Sequence, residues 1–363
     1  MTAGKQIESV TIHPPMDRVK VGIIGYGRIG REHAGWLKEC ENIEPVAVAD
    51  ATPPRREFAK ADGLVAHERI ESLLNDQTIN AVLISTPTAM HHQHALAAIA
   101  AGKHVMIEKP IALNLTQAKE IHHAATTAGI VASVFHNRRW DSDFLTVKNL
   151  IATRGLGKII NVESRLGQWS SCVGPAAKEW RPGWRNEAAY GGGGLFDWGS
   201  HFVDQIWRLL WPAKPVRVYA QLRGNVWSND CDDFARIMID FAGEAVALVE
   251  INTTTTRPLP RWHIDGTEGS AESPFSLEFD LKTWSQLTIA RADGSAPRLA
   301  PVAKNGLTES AIWEEFAVAI QDRARPAVTL SSVLPTMALL DAARESAQRG
   351  AAVELPNDIA WVL

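Results

Sequence analysis

The segment VGIIGYGRIGREH, residues 21–33, constrains the fold of this chain more than any other feature. It places Gly25, Gly27 and Gly30 in a G-x-G-x-x-G pattern, directly after a short apolar run and at the start of a helix-like stretch. In such a unit the glycines permit a tight turn, a close backbone approach to a pyrophosphate and close packing of the helix on the strand. A second apolar run, EPVAVAD, then ends at Asp50. The segment therefore predicts a strand–helix–strand unit that binds a dinucleotide.

Asp50 bears on which dinucleotide is bound. A carboxylate at the tip of the second strand accepts hydrogen bonds from the adenosine ribose and repels a 2′-phosphate, so NAD is predicted in preference to NADP. Arg55 and Arg56 follow closely in DATPPRRE and could instead bind a 2′-phosphate, which leaves NADP as the alternative. The predicted cofactor contacts within the glycine loop are Gly25, Tyr26, Gly27, Arg28, Ile29 and Gly30.

Apolar runs and helical stretches alternate as far as about residue 137. The runs NAVLIST (80–86), KHVMIE (103–108) and VASVFHN (131–137) are continuous, as expected of strands buried on both faces, and they predict a parallel doubly wound sheet. Beyond residue 140 the pattern changes to a helix near 142–153 and then to longer alternating strands such as VRVYAQLRG and DFARIMIDF, which predict an open, mostly antiparallel sheet. Helical periodicity returns over 308–350, with Gly350 as a helix stop.

These changes divide the chain into four parts. We expect an N-terminal tail (1–17), a dinucleotide-binding domain (18–138), a substrate-binding and oligomerisation domain (139–332), and a C-terminal helix and tail that pack back on the body (333–363).

Composition excludes several classes of function. The net charge of −4 does not indicate a nucleic-acid surface, and the three cysteines form no C-x-x-C pair, so neither a disulfide framework nor a structural zinc site is expected. No window approaches the roughly 20 apolar residues that a membrane span needs, and the first 17 residues lack a signal-peptide core. A reducing cytoplasm is the default location. His91, His92 and His94 lack metal-ligand spacing, so no metal is predicted, and His92 and His94 are expected on a helix surface.

The stretch AYGGGGLFDWGSHFVDQ, residues 189–205, places Asp197 and His201 four positions apart in a helical pattern. On one helix face the carboxylate would orient the imidazole, whose other nitrogen could exchange a proton with a substrate hydroxyl. Lys109 follows the strand KHVMIE, at the sheet edge where ligands bind, and its charge would stabilise a developing alkoxide. The glycines before Asp197 are expected to let substrate or cofactor approach the backbone closely.

Four motifs in order carry a resemblance to a known family. They are G-x-G-x-x-G, T-P-x-x-x-H (Thr86 to His91), A-G-K-H-V-x-x-E-K-P (Ala101 to Pro110) and G-G-G-L-x-D-x-G-x-H (Gly192 to His201). From residue 18 onward the chain resembles the glucose-fructose oxidoreductase and inositol dehydrogenase family, Gfo/Idh/MocA.

The resemblance implies a Rossmann domain followed by an α/β domain with an open sheet, and assembly as a homodimer or homotetramer. It also implies that Lys109, Asp197 and His201 form the catalytic set. Further cofactor contacts are implied at Thr86, Pro87, His91, Glu108 and Lys109.

Substrate contacts are expected from two regions besides the catalytic set. In FHNRRWDSDF (135–144), Asn137, Arg138 and Trp140 are candidates, while Arg139 and Asp141 are equally suited to brace the domain junction. The Trp- and Arg-bearing segment GQWSSCVGPAAKEWRPGWRNEAAYGGGG (167–194) offers aromatic faces for sugar C–H groups and guanidinium groups for anions. A structural role for these side chains is the alternative. Its candidates are Trp169, Trp180, Arg181, Trp184 and Arg185.

The sequence therefore predicts an NAD-dependent dehydrogenase that oxidises a secondary hydroxyl of a sugar, inositol or related polyol. One alternative is an NAD-dependent glycosidase that acts by transient oxidation of a glycoside. The other is a sugar-binding or NAD-binding sensor without catalysis.

Overall fold

The computed structural model describes residues 18–172, 183–243, 245–277, 279–356 and 359–361. The first of its two sheets has six parallel strands in the order β3-β2-β1-β4-β5-β6. These strands and the helices between them are β1 (Val19–Ile24), α1 (Arg28–Lys38), β2 (Ile43–Ala49), α2 (Pro53–Ala61), β3 (Val65–His67), α3 (Ile70–Leu74), β4 (Ala81–Ile84), α4 (His91–Ala100), β5 (His104–Ile107), α5 (Leu115–Ala128) and β6 (Ala132–Val134). The predicted doubly wound parallel sheet is confirmed.

The second sheet has nine strands in the order β14-β13-β12-β11-β7-β10-β9-β8-β15. Its strands pair antiparallel except for β7 with β10, which confirms the predicted open, mostly antiparallel sheet. Its elements are α6 (Ser142–Ala152), β7 (Ile159–Gly167), α7 (Ser200–Leu210), β8 (Pro215–Arg223), β9 (Phe234–Phe241), β10 (Val246–Asn252), β11 (Trp262–Gly266), β12 (Gly269–Glu272), α8 (Leu281–Trp284), β13 (Thr288–Arg291), β14 (Arg298–Leu299), α9 (Glu309–Gln321), α10 (Leu334–Arg349) and β15 (Val353–Glu354).

Two helices of the later part of the chain determine where the site lies. Helix α7 is buried along its whole length except at Arg208, and it packs against the second sheet and α10. Helix α9 returns to the first sheet: Ile312, Trp313 and Phe316 share one apolar core with β1 and α1. Helix α10 ends at Gly350, in the left-handed conformation predicted for a helix stop (φ 65°). Within the described ranges, no helix combines the length and apolar character needed to cross a bilayer.

Candidate active site

A cleft lies at the carboxyl ends of the parallel strands, with about 1220 Å³ of empty space when the part open to solvent is included. The strand order reverses between β1 and β4, and such a switch point is where open α/β sheets bind ligands. The cleft is lined from the ends of four strands, by Gly25, Asp50, Thr86 and Lys109 among others, and from the second half of the chain by Trp184 and Arg185.

The glycine loop forms one end of this cleft. Gly25 has a φ of +93°, and a Cβ on Gly30 would lie 2.2 Å from the carbonyl oxygen of Gly25. Helix α1 begins with Gly27 as its N-cap and has no side-chain cap, so the amide groups of its first turn need an outside partner. A pyrophosphate accepts hydrogen bonds from such amide groups and interacts favourably with the helix dipole. The residues present therefore fit a dinucleotide.

The loop residues take different positions. Arg28 and Ile29 line the cleft. The Tyr26 ring lies in the core, with its hydroxyl 2.7 Å from Asp62 Oδ2, so its contribution to the loop is the backbone amide, which donates to Asp50 Oδ2 at 2.7 Å.

Asp50 and Arg55, which favour different cofactors, stand together at one side of the cleft. The Asp50 carboxylate accepts from the amides of Tyr26 and Thr52, and Arg55 Nη1 lies 3.5 Å from its Oδ2. The Arg55 guanidinium also lies 3.4 Å from the point where a Cβ on Gly27 would be. Arg56, in contrast, is bonded to the Asp50 carbonyl and faces Glu68.

His91 joins two of the predicted cofactor segments. Its Nε2 lies 2.8 Å from the Thr86 carbonyl oxygen and its Nδ1 lies 2.9 Å from that of Pro110. Burial lowers its pKa. The prediction of a surface position for His94 is wrong: it is 6% exposed and its Nδ1 lies 3.2 Å from Thr86 Oγ1, because α4 turns this face toward the cleft.

A buried hydrogen-bond chain holds the E-K-P turn. Trp313 Nε1 donates to His33 Nδ1 (3.1 Å), so His33 carries its proton on Nε2 and donates it to Glu108 Oε1 (2.8 Å). Glu108 Oε2 accepts the backbone amide of Lys109 at 3.0 Å. Burial of Glu108 opposes its ionisation, but His33 and Lys109 outweigh burial and lower its pKa. Sequence reasoning missed His33 and Trp313, since the two are 280 residues apart.

The Lys109 ammonium is held by Asp197, the residue that the sequence predicted as the partner of His201. Lys109 Nζ donates to the Asp197 carbonyl oxygen at 2.8 Å and lies 3.3 Å from its Oδ1. Arg185 Nε lies 3.4 Å from the same Oδ1. Burial raises the pKa of Asp197, but these two cations outweigh it and bring the pKa below its ordinary value. The carboxylate is thus an anion that holds two cations at the cleft.

The prediction that Asp197 orients His201 is wrong in this structure. Residues Leu195–Gly199 form a π-helical turn that leads into α7, so Asp197 and His201 lie in different helical elements. Asp197 instead turns toward Lys109 and Arg185. His201 is 4% exposed, and its Nδ1 has no hydrogen-bond partner among the described residues. Burial, with Lys109 and Arg138 nearby, lowers its pKa well below the ordinary value, so the ring is neutral.

The glycines before Asp197 are explained by close packing within the protein and not by the predicted approach of a ligand. A Cβ on Gly192 would lie 2.4 Å from the Arg185 carbonyl oxygen, and one on Gly193, where φ is +100°, would lie 2.2 Å from Asp232 Oδ1. The protein's own backbone and Asp232 therefore fill the space that these glycines leave.

The substrate candidates divide into two groups. Trp184 and Arg185 line the cleft, and the Arg138 guanidinium lies near His201 and stacks over Trp198 and Phe279. The others contact protein or are not described: Asn137 bonds to Glu309, Trp140 packs on Gly306, Trp169 packs edge-on against Trp227, and Trp180 and Arg181 lie outside the described residues. No cluster of three His, Cys, Asp or Glu side chains in the described ranges could hold a metal ion.

Family models match most of the chain. A model of the oxidoreductase family with an NAD-binding Rossmann fold matches residues 19–136, and a model of the GFO/IDH/MocA C-terminal domain matches residues 144–272. The scyllo-inositol 2-dehydrogenase (NADP(+)) IolW of Bacillus subtilis is 31% identical over 258 residues, which cover 70% of this chain and 68% of the relative.

Solved structures match over nearly the whole chain. An NAD-binding protein from Listeria innocua superimposes with a TM-score of 0.83 at 28% identity, covering 93% of this chain and 97% of the other. A levoglucosan dehydrogenase in complex with NADH and levoglucosan gives 0.76 at 25% identity, covering 94% and 100%.

Fold, cleft and family matches define an oxidoreductase that binds a nicotinamide dinucleotide in a Rossmann domain. The chain belongs to the Gfo/Idh/MocA family, and it is an oxidoreductase that acts on CH–OH groups.

Proposed function

We propose that this protein is an NAD-dependent dehydrogenase that oxidises a secondary hydroxyl of a sugar, inositol or related polyol. The observation that carries the proposal is the fixed Lys109 ammonium at the cleft edge, with the neutral imidazole of His201 nearby. The similarity to an inositol dehydrogenase and to a levoglucosan dehydrogenase supports a polyol substrate.

A dinucleotide held by the glycine loop and the first turn of α1 would supply a nicotinamide ring as the hydride acceptor. Lys109 binds the substrate oxygen and stabilises the negative charge that develops on it. His201 takes the hydroxyl proton, which a neutral imidazole can accept and later return. Asp197 holds the Lys109 ammonium in place, because its carbonyl and carboxylate both contact Nζ.

We propose NAD as the preferred cofactor, with NADP as the less favoured one. The Asp50 carboxylate, 8% exposed at the tip of β2, would repel a 2′-phosphate. Arg55 lies against that carboxylate and would reduce the repulsion. The relatives point both ways, since one is named for NADP(+) and the other is bound to NADH. A kcat/KM with NADP equal to that with NAD would contradict the preference.

The test is an assay of nicotinamide absorbance and fluorescence on purified protein with NAD, against free sugars, inositols, sugar acids and matching glycosides. We expect reduced nicotinamide to accumulate with a free polyol. Lys109→Ala should abolish turnover, whereas Lys148→Ala, which removes an exposed lysine of α6, should leave it unchanged. Glycoside breakdown without accumulation of reduced nicotinamide would instead identify the redox-assisted glycosidase, and binding without either reaction would identify a sensor.

We also propose a homodimer or homotetramer assembled through the open sheet. Met238 and Val246 are half-exposed on this sheet among charged residues, a mixture suited to an interface. A monomeric mass by light scattering would contradict the proposal.

A further inference from the structure

Two buried histidines lie side by side next to the proposed catalytic centre. His136 follows β6 and His201 lies in the first turn of α7; their ring centroids are 5.7 Å apart and the planes meet at 89°. They are 3% and 4% exposed. Within the part of the chain that the structure describes, Nδ1 of each ring is buried without a hydrogen-bond partner. Buried polar groups are nearly always paired, directly or through ordered water, so each of these two nitrogens is expected to have a partner. Because the rings are neighbours, one buried water can serve both.

The two nearby carboxylates are engaged elsewhere. Asp204 accepts from both Nε and Nη2 of Arg139 at 2.8 Å, and also from Arg208 and Thr336. Asp197 is occupied by Lys109 and Arg185. Neither carboxylate is therefore the partner of these Nδ1 atoms.

Burial, together with the surrounding cations, keeps both rings neutral. Burial is the main cause that lowers the pKa of His136 to about 3; Arg139, Arg208 and Lys109 lower it further and Asp204 opposes them. His201 is held neutral by burial and by Lys109, Arg138 and Arg139. A neutral imidazole has one donor and one acceptor nitrogen, so two such rings can be linked by a water that accepts from one and donates to the other.

We propose that His136 is the positioning residue of His201, with a water held between the two Nδ1 atoms. The water accepts the proton of His201 Nδ1–H and donates to the lone pair of His136 Nδ1. The lone pair of His201 is then on Nε2, which receives the substrate hydroxyl proton. His136 thus takes the orienting role that helical spacing predicted for Asp197. The kinetic consequence rests on the proposed dehydrogenase function, whereas the tautomer of His201 does not.

The kinetic test compares His136→Leu, which removes the acceptor, with His136→Gln, which retains one. His104→Leu is the matched control, since His104 begins β5 at the opposite end of the same sheet, where its Nδ1 accepts from Val131 N. We expect His136→Leu to lower kcat about 10- to 100-fold, a part of the roughly 10²–10⁴-fold that a positioned acid–base group contributes. KM and NADH affinity should change little, and His136→Gln should recover most of kcat.

Three results would overturn the role of His136: a kcat for His136→Leu within twofold of wild type, a change in KM alone, or a folded His136→Gln as slow as His136→Leu. A second measurement needs no turnover and no variant of His136. Nitrogen NMR of the histidine-labelled wild type, with His201→Gln to assign the signal, should show His201 protonated on Nδ1 and unprotonated on Nε2. The opposite tautomer would overturn the proposal even if no polyol is oxidised, and an absence of turnover alone would count against the proposed function.

Discussion

Replacing Gly30 with alanine perturbs the cofactor cleft at the place where the backbone is most crowded. The new Cβ would lie 2.2 Å from the Gly25 carbonyl oxygen and 3.0 Å from Ser85 Oγ. The serine side chain can rotate away, but the carbonyl belongs to the glycine turn itself. Either that turn or the start of α1 must therefore shift by roughly 1 Å to restore van der Waals contact.

Gly35, in the same helix, provides a matched control. Apart from its chain neighbours and the adjacent backbone of its own helix, a Cβ on Gly35 would have no atom of the described residues within 4 Å. Gly35→Ala should therefore gain the full helix propensity of alanine, about 1 kcal/mol of unfolding free energy. Gly30→Ala gains the same propensity but also incurs an overpacking cost of about 1–3 kcal/mol. We therefore expect Gly30→Ala to be less stable than Gly35→Ala by about 1–3 kcal/mol.

The same shift moves the amide groups that would bind the pyrophosphate, so binding should weaken as well. We expect Gly30→Ala to raise the Kd for NADH at least about tenfold, which corresponds to roughly 1.4 kcal/mol, and Gly35→Ala to leave it unchanged. Urea unfolding and NADH fluorescence titration measure the two quantities. Equal stability of the variants, together with wild-type NADH affinity in Gly30→Ala, would refute the reasoning.

Three further predictions concern single contacts. Arg55→Ala should lower kcat/KM for NADP more than for NAD, by about fivefold or more in the ratio, because a charged hydrogen bond to a 2′-phosphate is worth roughly 1.5–3 kcal/mol; an equal loss with both cofactors would contradict it. Trp313→Phe removes the hydrogen bond to His33 and should lower the free energy of unfolding by about 1 kcal/mol, and an unchanged urea midpoint would count against this. Burial lowers the pKa of His94 to about 4, so its stabilising effect is present above pH 6.5 and is lost as the pH falls toward 4. Urea unfolding should show the advantage of wild type over His94→Gln shrinking by about 2 kcal/mol between pH 7 and pH 5, and a constant difference would be the contrary result.

The local sequence pattern predicted the buried strands and the helix end, which depend mainly on the residues within each element. The continuous apolar runs became the buried parallel strands, and Gly350 ended its helix as expected. Strand β3, Val65–His67, was not predicted, because it has three residues and lies at the sheet edge with Val65 60% exposed. Such a strand is defined by its pairing with β2 rather than by its own sequence.

The site was predictable in its residue types but not in its pairings. Lys109 and Asp197 were both named, yet their contact joins residues 88 apart in sequence. The expected pairing of Asp197 with His201 rested on their spacing alone, whereas Asp197 contacts Lys109 and Arg185. Lys109 lies 88 residues before Asp197 and Arg185 lies 12 residues before it, and helical spacing predicts neither contact.

Helix α9 shows why the position of Lys109 depends on contacts from outside the first sheet. Lys109 sits between two constraints: its amide is held by Glu108, and its ammonium by Asp197. Glu108 is in turn held by His33, whose tautomer is set by Trp313 of α9. Because indole can only donate, the His33 proton must lie on Nε2, facing Glu108. The backbone position of Lys109 therefore depends on Trp313 of α9, and the position of its ammonium depends on Asp197. Because both residues belong to the second half of the chain, that half must be folded before the ammonium is in place.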